Sequence, residues 1–144
     1  MRWLSISAAA VAAAIVGLAA GASQAAVVTV ECEYGSQGVH ALYDIDYDAS
    51  TVRSYAVNDD GGPATFSEGV FPDRTFPAHI TDREITWTDP SWVAGYDNLT
   101  LGRLSGTLRD DSVQTKSLKS GKNYSHTTVR KCEPYTPPSG KPRF

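Results

Sequence analysis

From Val27 onward, apolar residues recur at every second position in short runs separated by turn-forming clusters. Val27-Val28-Thr29-Val30 opens with β-branched residues, which suit an extended, half-buried backbone. Tyr43-Asp44-Ile45-Asp46-Tyr47-Asp48 alternates apolar with acidic, the period-two signature of a strand with one buried face. Asp48-Ala49-Ser50 predicts a turn, residues 51–57 its partner strand, and Asn58-Asp59-Asp60-Gly61-Gly62-Pro63 the end of that strand. Glu84-Ile85-Thr86-Trp87-Thr88 alternates again, and Asp89-Pro90-Ser91 is expected to turn the chain. Residues 99–108 hold two short alternating stretches around Gly102 and Gly106, and 124–132 form the last predicted strand. About eight short strands with turns at roughly ten-residue spacing, and no convincing helix, predict an all-β fold. The architecture is a small antiparallel sandwich or an up-and-down barrel, and the pattern does not choose between them.

The two ends of the chain read differently. Met1-Arg2-Trp3 supplies one positive charge, residues 4–22 are Ala, Val, Ile, Leu and Gly with two serines, and no acid precedes Glu31. A basic start, an apolar middle and a small-residue end at Ser23-Gln24-Ala25 predict a secretory signal, residues 1–25, cut after Ala25. The apolar run approaches the ~20 residues that span a bilayer. The small-residue end and the weak hydrophobicity of alanine favour cleavage over an uncleaved anchor, so no stable membrane insertion is expected afterwards. A lipid anchor would need a cysteine at the cut, and the first is Cys32. The Ala-rich, Lys-poor signal has a bacterial character, which makes the expected destination the periplasm or the exterior. The β domain is expected over 26–133, and the proline-rich segment 134–144 is expected to be a disordered tail.

Removing the signal leaves 119 of the 144 residues, enough for one core and little more. The chain has two cysteines, Cys32 and Cys132, near the two ends of that domain. In an oxidising compartment they are expected to pair, closing a long loop end to end. In the chain-entropy model a 100-residue loop closed in this way stabilises by ~4.7 kcal/mol. The alternatives are two free thiols or a metal site, and Cys32 has no companion cysteine or histidine at metal-finger distance.

Charge is unevenly distributed. From Glu31 to Asp89 there are 12 acids against 3 bases, and from Gly102 to Cys132 there are 7 bases against 2 acids. One reading is a basic face built from Lys116, Lys119, Lys122, Arg130 and Lys131 that meets an anionic cell-wall polymer or an envelope protein. The other is internal complementarity, with late bases opposite early acids across neighbouring strands, at ~0.2–1 kcal/mol per pair. The spread of the bases over a loop and a strand favours the second. No nucleic-acid partner is expected.

Candidate chemistry is sparse. Asp44, Asp46 and Asp48 open like a calcium loop, but Ala49 and Tyr55 stand where such a loop needs its glycine and its closing glutamate. A weak surface site near Asp48, Asp59 and Asp60 would require the hairpin to bring them together. The histidines are His40, His79 and His126, and no H-E-x-x-H, C-x-x-C or G-x-S-x-G motif occurs, so no metal, cofactor or catalytic set is expected. Trp87, Trp92 and Tyr96 flank the predicted 89–91 turn, where aromatics beside carboxylates can stack on sugar rings. The competing assignment puts Trp87 in the core with Ile85.

Cys32, Ile85-Thr86-Trp87, Arg103-Leu104-Ser105-Gly106-Thr107-Leu108 and Cys132 together resemble the layout of small exported proteobacterial single-domain β proteins of unknown function. The resemblance covers most of the mature chain; it implies a β fold and export, and no activity. The functional expectation is an exported, non-catalytic binding or accessory protein of the cell envelope. The alternatives are an inhibitor of a secreted or cell-wall hydrolase, without the Ser-Gly plus downstream Tyr pattern of periplasmic lysozyme inhibitors after Ser105-Gly106, and a small periplasmic enzyme.

Overall fold

The structure is a computed structural model that describes residues 26–35, 37–66, 69–70, 72–92, 95–114 and 124–137. Among the described residues ten strands occur: β1 (Val27–Cys32), β2 (Val39–Asp46), β3 (Thr51–Asn58), β4 (Thr65–Phe66), β5 (Gly69–Val70), β6 (Arg74–Ile80), β7 (Glu84–Trp92), β8 (Gly95–Gly102), β9 (Thr107–Gln114) and β10 (Tyr124–Pro134). Eight of them close a barrel in the order β1-β10-β9-β8-β7-β6-β3-β2, while β4 and β5 form a separate two-stranded sheet between β3 and β6. Every pairing is antiparallel and, that insertion and the closing β1–β10 pair aside, joins neighbours in sequence, so the barrel is of the up-and-down kind. Between the two architectures open to the sequence, closure selects the barrel, which leaves no edge strand exposed.

The predicted hairpin is β2 and β3, with Asp46 capping its 47–50 turn through the amides of Asp48 and Ala49 at 3.0 and 2.8 Å. Two boundaries differ from expectation. Asp89-Pro90-Ser91 does not turn the chain: it lies within β7, which slips register against β8 between Asp89 and Trp92. Such an irregularity leaves a residue out of the ladder, which is where a proline without an amide hydrogen is tolerated. At the other end β10 continues to Pro134, opposite Val30, and the Tyr135 amide bonds the Thr29 carbonyl at 3.0 Å. The domain therefore runs past residue 133; residues 138–144 of the expected tail, and the expected signal 1–25, lie outside the described residues.

The seam between β1 and β10 is short, with three register pairs, Val30 with Pro134, Glu31 with Glu133 and Cys32 with Cys132. Cys32 and Cys132 are disulfide-bonded there, across 100 residues of sequence. The covalent bond thus reinforces the barrel's closure at one of its two shortest ladders, the other being β6 with β7.

Strand alternation sends one face of each strand inward. Ile45, Val52, Phe76, Ile85, Leu101 and Leu108 fill the interior, Val52, Ile85 and Leu108 being fully enclosed. Short turns at 47–50, 81–83 and 103–106 lie at one end of the barrel. The strand ends at Cys32, Asn58, Trp92 and Gln114, after which the longer connections and the link between β7 and β8 begin, lie at the other.

Candidate functional site

Following the inward parity toward the end with the long connections, the lining changes from apolar to polar. On β7 it runs Ile85, Trp87, Asp89; on β8, in the opposite direction, Leu101, Leu99, Asp97; on β9, Leu108, Asp110, Ser112. Register places Asp89 opposite Asp97 and Asp97 opposite Ser112, so the polar residues form one band across adjacent strands. Arg74 extends the band from β6 and Arg130 from β10, while Tyr43 on β2 and Ser54 on β3 complete it, Ser54 lying opposite both Tyr43 and Arg74.

These groups are bonded to one another. Arg74 donates to Asp89 at 3.1 Å and Arg130 to Asp110 at 2.8 Å. The Ser112 hydroxyl donates to Asp97 at 2.6 Å and lies 3.4 Å from Asp110, bridging the two carboxylates. The Tyr43 hydroxyl is held by Ser54 and Arg130, and its ring packs tilted against Trp87 with centroids 5.6 Å apart. Side-chain exposure rises from 12% at Asp110 and 22% at Arg130 to 35% at Arg74, so the band is partly solvated.

The electrostatics are not relaxed. Burial pushes the Asp110 carboxyl above its ordinary value, and the Asp97 charge adds to this, against the opposing pull of Arg130. Burial likewise raises the Tyr43 hydroxyl. Like charges directly opposite one another across a ladder are unfavourable, and Asp89 faces Asp97 in this way. Elsewhere, His40 bridges Glu31 and Asp59 on the outer surface at 2.5 and 2.8 Å, and these two carboxylates raise its pKa.

Of the residues singled out from sequence, Arg130 belongs to this band. Lys131, the next residue, is exposed on the outer face opposite Thr107. Lys116, Lys119 and Lys122 fall in the 115–123 connection, outside the described residues. Trp87 does not serve as a surface platform: it is 5% exposed and belongs to the core, because its parity matches Ile85. An indole so enclosed has no face to offer a sugar ring. Tyr96 is half-buried on β8, and the Trp92 side chain lies outside the described residues. Among the described residues, the late bases Arg109 and Arg130 pair with Asp111 and Asp110, both on β9, and not with acids of the early strands. Asp48 and Asp59-Asp60 sit at opposite ends of β3, so they do not form a calcium site; among the described residues no cluster suited to a metal ion occurs.

A second feature lies outside the barrel. A groove of about 480 Å³ crosses the outer face of β6, β7 and β8, lined by Pro77, His79, Thr86, Thr88, Asn98 and Thr100, with Trp87 and Leu99 completing it. No family model matches the chain, and no curated protein or solved structure is significantly similar to it.

Proposed function

We propose that this is an exported, non-catalytic binding or accessory protein of the cell envelope, and that the charged mouth of the barrel is where it recognises its partner. One observation supports the reading: five charged side chains, Arg74, Asp89, Asp97, Asp110 and Arg130, occupy inward positions in a barrel small enough to be filled by apolar residues. Replacing ion pairs in such positions by apolar residues of similar volume is often neutral or stabilising. Stability alone therefore does not account for the band, whereas a partly solvated set of fixed donors and acceptors at a barrel mouth is suited to recognition.

The test uses the purified oxidised protein as bait for intact cell-wall sacculi and for an envelope protein fraction, beside an Asp110→Leu/Arg130→Met variant. The reading predicts retention of a component by the native protein and its loss with a variant that remains folded. No retention, or equal retention by the variant, contradicts it.

A second reading, inhibition of a secreted hydrolase, draws on the turn at the opposite end. Leu104 is 89% exposed there. Its turn is braced by Arg103, which donates to the Thr81 carbonyl at 2.7 Å and packs over Tyr47 at 5.2 Å, and by Gly106 at φ 63°. A fixed turn presenting one apolar side chain can enter an enzyme cleft with little ordering cost. Loss of lysozyme activity on adding the protein, reversed by Leu104→Ser, would favour this over the mouth.

A further inference from the structure

The outer groove over β6, β7 and β8 has a chemistry unlike that of the charged faces on either side of it. Outer positions on β1–β3 carry Glu31, His40, Asp44 and Arg53, tied by ion pairs, and those on β9 carry the Arg109–Asp111 pair. Between these two charged regions the groove lining contains no aspartate, glutamate, lysine or arginine.

Register arranges its side chains in two rows. His79 faces Thr86, which faces Thr100; Thr88 faces Asn98 in the next row. Neighbouring strands are about 4.8 Å apart and alternate residues about 6.7 Å apart along a strand, so the rows make a regular grid of hydroxyl, amide and imidazole groups. The Thr88 hydroxyl donates to the Asn98 amide oxygen at 3.0 Å, which leaves the Asn98 amide hydrogens directed elsewhere. The threonine methyls and the Pro77 ring supply apolar surface between the polar atoms. A ligand matched to this lining is uncharged, presents both donors and acceptors at short repeats, and has apolar faces between them.

We infer that the outer groove of β6–β8 is a binding site for a neutral glycan, whose hydroxyl edges pair with the threonine, asparagine and histidine rows and whose C–H faces rest on the threonine methyls and Pro77. An anionic polymer is disfavoured because the groove offers no lysine or arginine. The site lies on the outer wall and is separate from the mouth, so it stands or falls independently of the recognition proposed there.

The test is titration of the oxidised protein with N-acetylglucosamine and glucose oligomers, followed by amide chemical shifts and calorimetry. A Thr86→Val/Thr100→Val variant removes two hydroxyls while keeping volume and β-branching, and its melting temperature reports that it is folded; Thr88→Val is the second variant. The expected result is binding of at least one oligomer, with shifts confined to β6–β8, insensitivity to high salt, and at least tenfold weaker affinity in the double variant. Absence of binding to both oligomers at millimolar concentration would overturn the proposal. So would affinity unchanged by the hydroxyl deletions in both variants, or shifts centred on Asp110 and Arg130 instead.

Discussion

Four positions apart along β7 lie Ile85, fully enclosed among Val52, Leu101 and Leu108, and Asp89, paired to Arg74 and facing Asp97. The two ends of the barrel interior share strands and parity, and differ in what the side chains are. At the apolar end the hydrophobic effect and close packing supply stability directly, at roughly 1.5–3 kcal/mol for each large side chain fully buried. At the mouth, burial of Asp110 outweighs the attraction of Arg130 at 2.8 Å and pushes its carboxyl above its ordinary value. One end of the interior holds the fold together, and the other is available for a different use.

The sharpest way to break the contrast is to damage the apolar end. Leu108→Ala is expected to cost about 2–5 kcal/mol in urea denaturation, since the enclosed site cannot collapse around the smaller side chain. Opening the seam comes next: Cys32→Ser/Cys132→Ser is expected to cost about 2–4 kcal/mol by the same measurement, lost mainly by freeing the unfolded chain. At the mouth, Arg130→Met alone leaves Asp110 without its cation in a partly buried setting and is expected to cost about 1–3 kcal/mol, below the range for fully buried pairs because solvent still reaches the band. A cost equal to that of Leu108→Ala would erase the distinction between the two ends.

The smallest expected effect concerns pH. His40 titrates above a free histidine because Glu31 and Asp59 bond its two ring nitrogens. Its contribution is therefore complete below about pH 6.5, the unfolded value, and disappears as pH rises through the folded one. With Asp59 largely exposed the contribution is expected to be under about 1 kcal/mol. Melting temperature measured from pH 6 to 9 should fall slightly for the native protein and more weakly for His40→Gln; parallel curves would remove the histidine from the account. Asp110 adds a decline of the same sign at lower pH, because its neutral form is the one favoured by folding.

Alternation alone was enough to read the β2–β3 hairpin and the strands around Ile85 and Leu99, while the pairing of Cys32 with Cys132 followed from there being two cysteines in an expected oxidising compartment. Closure into a barrel was not legible, because it depends on the contact of β1 with β10, across 100 residues, and no local pattern encodes it. The mouth was partly legible. Once Leu99 and Leu101 point inward, parity sends Asp97 inward too, and Leu108 does the same for Asp110 and Ser112. That signal was masked by the ordinary association of aspartate with turns, which also misplaced Asp89-Pro90-Ser91. The outer threonine rows resemble any solvated strand face in sequence, and only register brings Thr86 and Thr100 side by side.

The central claim is that the mouth charges are dispensable for folding. Its most direct test is the unfolding free energy of Asp110→Leu/Arg130→Met, measured in urea beside the native protein and each single variant. The account predicts a double variant as stable as the native protein or more so, with the cost of Arg130→Met alone recovered. A double variant destabilised by several kcal/mol would show that the band is part of what holds the barrel together.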